Sequence, residues 1–128
     1  VYIDPPYNQH PYGSNYFMLN LLTTYERPKD VSKVSGIPTD WHRSGYNVRK
    51  QALPLLDQLF TAIPARFLLV SFNSEGYVST DQIKTALGKH GRVDEMIVKY
   101  NTYRASRNLR SRKIHVHEHL FLLDRNAR

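Results

Sequence analysis

Two kinds of hydrophobic run alternate along the chain. Val1-Tyr2-Ile3, Arg66 to Asn73, Val93 to Tyr100 and Val116 to Leu123 are short stretches rich in aliphatic, β-branched and aromatic residues, as strands are. Between them, Phe17, Met18, Leu21, Leu22 and Tyr25 recur at helical spacing. So do Ala52, Leu55, Leu56, Leu59, Phe60 and Ile63, and then Ile83, Ala86 and Leu87. The predicted order is strand, helix, helix, strand, helix, strand, strand.

Local signals set the boundaries. Ser14 is the candidate N-cap of a first helix through Tyr25, whose apolar stripe is expected to face the core. Asn47 to Ile63 is the second helix; Pro54 within it predicts a late start near Leu53 or a kink. Ser79-Thr80-Asp81-Gln82 reads as a capping box opening a third helix that stops by Gly88 or Gly91. Arg66 to Asn73 suits a parallel strand buried on both faces. The last two strands, joined by a long connection without an apolar helix, predict an antiparallel pair. Residues 27–46 lose periodicity and collect Pro28, Gly36, Pro38 and Gly45, which reads as a long loop. Trp41, beside His42 and Arg43, is expected to anchor that loop on the core, with stacking on nucleic acid as the second use.

With 128 residues, 41% of them hydrophobic, the chain is one globular domain, short for a complete doubly wound enzyme. It has no cysteine, which excludes disulfides and thiolate metal sites and fits a reducing compartment. No apolar run approaches membrane-spanning length and no signal peptide is visible, so the expected location is cytoplasmic. The chain opens at Val1, inside an apparent strand and without an initiator Met, and is expected to be a fragment.

The net charge of +7 is concentrated rather than spread. Residues 99–113 hold Lys99, Arg104, Arg107, Arg110, Arg112 and Lys113 with no acid, while the rest nearly balances. Such a patch points to an anionic partner, with Arg104, Arg107, Arg110, Arg112 and Lys113 as candidate phosphate contacts. Just beyond it, His115, His117 and His119 alternate and would share one strand face. No cysteine or well-placed acid backs them, so they read as a solvated polar face beside the inward Val116 and Leu120, and no metal is expected.

Asp4-Pro5-Pro6-Tyr7 is the stretch with the most specific chemistry. Two prolines lack N–H donors and have a fixed φ, so the chain must leave the sheet at Asp4. That sets a carboxylate, rigid carbonyls and an aromatic ring at the carboxyl edge of a strand, where open α/β sheets bind ligands. A carboxylate and a proline carbonyl can converge on one –NH2 group while Tyr7 offers a flat face to a planar base. An ordinary strand-to-loop turn has the same residue types.

Ile3 through Asn8, followed by Tyr12 and Asn15-Tyr16 leading into an apolar helix, resembles the catalytic motif of amino-methylating DNA methyltransferases, most closely the Dam-type adenine-specific enzymes. Leu69 through Gly76 followed by a capped helix is similar to their next strand and turn. The resemblance implies an α/β fold: the C-terminal half of a doubly wound, Rossmann-like methyltransferase sheet, with strands four and five and a closing antiparallel pair. It implies S-adenosylmethionine as methyl donor and a flipped adenine in DNA as acceptor, as in restriction-modification. Asp4, Pro5, Pro6 and Tyr7 are then the catalytic residues, and Asp4, Tyr7 and Asn8 border the cofactor.

The scattered glycines form no Gly-rich turn for the donor's amino-acid end, and in the resembling family that turn precedes the Asp-Pro-Pro-Tyr. The expected partner is therefore a missing N-terminal part of the same protein, or a second copy joined through the exposed strand edge. An RNA base or a protein amide as acceptor remains an alternative reading at this point. So does a non-catalytic nucleic-acid-binding module that uses residues 99–113.

Overall fold

The computed structural model describes residues 1–39, 43–101 and 115–127. Its elements are β1 (Tyr2–Ile3), α1 (Tyr12–Asn15), α2 (Phe17–Thr24), a 3-10 turn (Gly45–Asn47), α3 (Arg49–Ala62), β2 (Phe67–Asn73), α4 (Thr80–Gly88), β3 (Arg92–Asn101) and β4 (His115–Asp124). The strands make one mixed sheet in the order β1-β2-β4-β3, so the fold is a small α/β unit. β1 runs parallel to β2, and β4 runs antiparallel to both its neighbours. The expected antiparallel pair of β3 and β4 is present. The basic connection between them, with Arg104, Arg107, Arg110, Arg112 and Lys113, lies outside the described residues, as do Trp41 and His42.

Register divides the sheet into two unlike faces, because side chains alternate along a strand. Leu68 pairs with Leu123, Val70 with Phe121 and Ile3 with Val70, and all five are buried. Ala52, Leu56 and Phe60 of α3 and Ile83, Ala86 and Leu87 of α4 join them in one core. The other face carries Phe67, Leu122, Met96 and Val98, all exposed, with Met96 61% accessible. β2 is thus not the parallel strand buried on both faces that its apolar run suggested. It has one parallel and one antiparallel neighbour, and its second face is covered only toward the carboxyl end, at Ser71 and Asn73.

Four helix expectations meet different outcomes. The capping box of α4 is complete: the Gln82 N–H donates to Ser79 Oγ at 3.2 Å and the Ser79 N–H donates to Gln82 Oε1 at 2.9 Å. α3 begins at Arg49 and runs through Pro54, with neither the late start nor a break in the element. Pro54 frees the Lys50 carbonyl on a side of the helix where both residues are exposed and water can replace the lost bond. Ser14 does not cap the first helix; it lies inside α1, buried, with its hydroxyl donating to Pro11 O at 3.0 Å. The stripe of α2 does not face the core: the helix has no buried residue, and Met18 and Leu22 are 54% and 65% accessible. Among the described residues, no helix is long and apolar enough to cross a membrane.

The histidine row also behaves differently from a solvated face. His115 and His117 are exposed, but His119 is buried, because its strand face is the one that continues into Phe121 and Leu123. Its Nδ1 meets Glu95 Oε1 at 2.7 Å, Lys84 Nζ meets Glu95 Oε2 at 3.0 Å, and its ring stacks on Phe121. The His119 bond first, and the Lys84 bond second, hold the Glu95 carboxyl below its ordinary value. A carboxyl lowered in the folded state adds stability above its unfolded pKa and loses it as pH falls through the folded one. Glu95→Gln is therefore expected to lower the urea midpoint at neutral pH, and to leave it unchanged well below the carboxylate range.

Candidate active site at the carboxyl end of β1 and β2

β1 places Asp4 at the sheet edge by two strand residues alone. The Leu69 N–H donates to Val1 O at 2.8 Å, and Tyr2 and Ile3 align with Leu69 and Val70. Ile3 enters the core and Pro5 is buried, whereas Asp4 and Tyr7 remain exposed. The Asp-Pro-Pro-Tyr loop thus keeps its apolar joints inside and presents its carboxylate and phenol outward.

Prolines 5 and 6 have no N–H to give, so neighbouring segments hold the loop by its carbonyls. The Tyr77 N–H, from the turn after β2, donates to Tyr7 O at 2.8 Å. Asn47 Nδ2, from the 3-10 turn before α3, donates to Asn8 O at 2.9 Å, and Asn47 itself is buried. The Tyr77 hydroxyl donates to Gln9 Oε1 at 2.8 Å, while the Arg49 guanidinium lies over the Tyr77 ring at 4.8 Å. Asn8 Oδ1 accepts the His10 N–H at 2.9 Å, which closes the loop on itself before α1.

Three acids converge on Tyr7. Burial pushes its hydroxyl above the usual phenol value, and the charges of Glu118, Glu75 and Asp4 add to the effect in that order. Tyr12 is raised too, by burial first and then by Asp4, with smaller effects from Tyr16, Tyr7 and Tyr2. Tyr12 and Tyr16 stack with ring centroids 5.8 Å apart. Asp4 thus stands among tyrosines, a surface of flat faces around one carboxylate. A cleft of about 460 Å³ lies past the end of the loop, lined among others by Gln9, His10, Ser14, Ile37 and Thr39.

Asp4, Pro5, Pro6, Tyr7 and Asn8 are therefore contiguous at the sheet edge, as their sequence required. Tyr12, which the same motif includes, stands near Asp4 and stacks on Tyr16. Sequence reasoning passed over Asn47, Tyr77 and Glu118. The only sign of Asn47 was a polar residue before an apolar helix, and the only sign of Glu118 was an acid inside a strand-like apolar run. A polar group in such a place is retained where it has a partner. Among the described residues, no group of three or more His, Cys, Asp or Glu is arranged to hold a metal ion.

No family model matches the chain, and no solved structure matches it. Curated proteins do. It is 28% identical over 109 residues to the type II methyltransferase M.NlaIII of Neisseria lactamica, covering 84% of this chain and 31% of that protein. It is 28% identical over 127 residues to the type II methyltransferase M.FokI of Planomicrobium okeanokoites, covering 98% of this chain and 20% of that protein. It is 32% identical over 132 aligned positions to the modification methylase StsI of Streptococcus sanguinis, covering 98% of this chain and 19% of that protein. The chain is thus distantly similar to type II methyltransferases and modification methylases over most of its length, and spans less than a third of theirs.

The Asn47 clamp is open to test. Asn47→Ala leaves the Asn8 carbonyl without this donor and should cost about 1–3 kcal/mol, the usual penalty for an unmet buried bond. Chemical denaturation measures the loss, and faster proteolysis within residues 5–10 should accompany it.

Proposed function

We propose that this chain carries the catalytic motif of an adenine-specific DNA methyltransferase of the Dam type, and forms the C-terminal part of its catalytic domain. The observation that carries the reading is Asp4, exposed at the carboxyl edge of a parallel strand pair, with Tyr7 and Tyr12 in its neighbourhood, on a loop clamped by its carbonyls. The similarity to methyltransferases and modification methylases supports it. On this reading β1 and β2 are strands four and five of the sheet, and β3 with β4 is its closing antiparallel pair.

The Asp4 carboxylate and the Pro5 carbonyl accept hydrogen bonds from the adenine amino group and localise its lone pair. Tyr7 stacks on the base once it has left the duplex. Catalysis of this kind is positioning and electrostatics more than strong base. S-adenosylmethionine, when bound, supplies an electrophilic methyl on a sulfonium. The described residues fit part of such a donor: the exposed Asp4 and Tyr7 offer a carboxylate and a flat face, and Asn8 borders them. Asn8 Oδ1 accepts from the His10 N–H and its backbone carbonyl from Asn47 Nδ2, so Asn8 also holds the loop.

The remainder of the donor pocket is assigned to another part of the same polypeptide, or to a second copy. The edge position of β1 and the open face with Phe67, Leu122, Met96 and Val98 favour a covering layer of this kind, since proteins seldom leave such surfaces bare. Residues 99–113 are taken as the phosphate-contacting segment, positioning DNA without reading its sequence. A cytoplasmic location follows from the same reading.

In the full-length polypeptide, Asp4→Ala is expected to abolish methyl transfer while leaving DNA affinity and folding nearly intact. Tyr7→Ala should weaken capture of the extruded base by about 1–3 kcal/mol, the worth of one stacking face. Labelled-methyl transfer to duplex DNA, with affinity for an abasic-paired adenine alongside it, measures both. Wild-type turnover by Asp4→Ala would remove the motif from the mechanism.

A further inference from the structure

We infer that Glu118 is a positioning residue for the proposed reaction, setting the place of Tyr7 through Asn73 and the turn that follows β2. The inference rests on the methyl-transfer reading of Asp4 and Tyr7, and adds a residue that neither the motif nor the relatives' names indicate.

Glu118 is a half-buried acid in β4, on the sheet face opposite the main core. A carboxylate there is costly unless it accepts hydrogen bonds. Its register partner is Asn73, and Ser71 lies two positions along β2. Ser71 Oγ donates to Glu118 Oε1 at 3.2 Å, and Asn73 Nδ2 donates to Oε2 at 3.1 Å.

The second bond decides which way the Asn73 amide faces. With Nδ2 on a carboxylate, a flipped amide would set oxygen against oxygen. Asn73 Oδ1 is thereby aimed at the Glu75 N–H, which donates to it at 2.8 Å. The Asn73 backbone carbonyl takes the Gly76 N–H at 3.0 Å, and the next N–H, that of Tyr77, donates to Tyr7 O at 2.8 Å. Position 76 must be small for this turn: a Cβ there would lie 2.5 Å from the Phe72 ring. The turn is stitched to β4 as well, the Ser74 N–H donating to His117 O at 2.9 Å and the His117 N–H to Ser74 Oγ at 3.1 Å. Hydrogen bonds at Asn73 and at Tyr77, joined by the short backbone segment 74–77, therefore link the Glu118 carboxylate to the carbonyl of the stacking tyrosine. The same charge stands close enough to the Tyr7 hydroxyl to raise its pKa.

A donor–acceptor swap in the full-length polypeptide tests the path. Glu118→Gln removes the charge but can still accept from Asn73 by turning its –NH2 to the Ser71 hydroxyl, which accepts as well as donates. Asn73→Asp sets a second carboxylate against Glu118. Combined, the two restore a bond of reversed direction, Gln Nε2 to the new Asp oxygen, while the other Asp oxygen still accepts from Glu75. Asn73→Asp is expected to lower kcat by about tenfold to a hundredfold, as misplacement of a reacting group does, with KM for the cofactor unchanged, and Glu118→Gln alone to lower it less. The double variant should recover most of that loss.

Glu118→Asp, which draws the charge back by one methylene, should by itself lower kcat, and full activity in that variant overturns the inference. Singles that only lower the melting temperature, with activity per folded molecule at the wild-type level, overturn the inference. So does a double variant no better than the worse single. Asp4→Ala run alongside separates the two levels. If it is inactive while the swap variants are fully active, only the positioning role falls; if it is itself fully active, the methyl-transfer reading falls with it.

Discussion

The constraint on which the site depends is the missing N–H of two adjacent prolines. A loop that starts Asp4-Pro5-Pro6 has no N–H to give at positions 5 and 6, so its place depends on what binds its carbonyls. Two donors do so, from distant parts of the chain: Tyr77 N–H on Tyr7 O and Asn47 Nδ2 on Asn8 O. The first requires the tight turn after β2, with Gly76 against Phe72, and the second requires the 3-10 turn that opens α3. Helix α3 in turn packs Ala52, Leu56 and Phe60 onto the sheet. The Arg125 guanidinium, just past β4, donates to Phe60 O and Ile63 O at the other end of that helix. Core packing and loop placement are therefore one system.

What the sequence made legible is local. The capping box of α4 is set by side chains three residues apart and needs no tertiary information, so it appears as expected. The exit of the chain from β1 is equally local, because proline chemistry forces it. What was illegible depends on neighbours. The apolar stripe of α2 has the period of a buried face, yet period alone names no partner, and the helix stands exposed. β2 reads as a buried run, but nothing in that run distinguishes an antiparallel neighbour from a parallel one. The histidine alternation put three side chains on one face correctly, and could not tell that the face passes from solvent into core between His117 and His119. Pro54 does not delay the start of α3, because on this exposed side of the helix the freed carbonyl is open to solvent.

The same split appears in the site. Asp4, Pro5, Pro6, Tyr7 and Asn8 are contiguous, so their juxtaposition needed no fold. Asn47, Tyr77 and Glu118 reach the loop only because α3, the β2–α4 turn and β4 converge there, which no spacing records. The two faces of the sheet carry a related lesson. One is closed by α3 and α4, and the other shows Phe67, Met96, Val98 and Leu122 to solvent.

The central claim is that the Asp4 carboxylate and Pro5 carbonyl orient the amino group of an extruded adenine for methylation. Its most direct measurement is the identity of the product. Full-length protein is incubated with labelled S-adenosylmethionine and unmethylated duplex DNA, and the DNA is digested to nucleosides for mass spectrometry. The account predicts that the label appears in N6-methyladenine. Label in a methylated cytosine, in RNA or on protein, or no transfer at all, would contradict it.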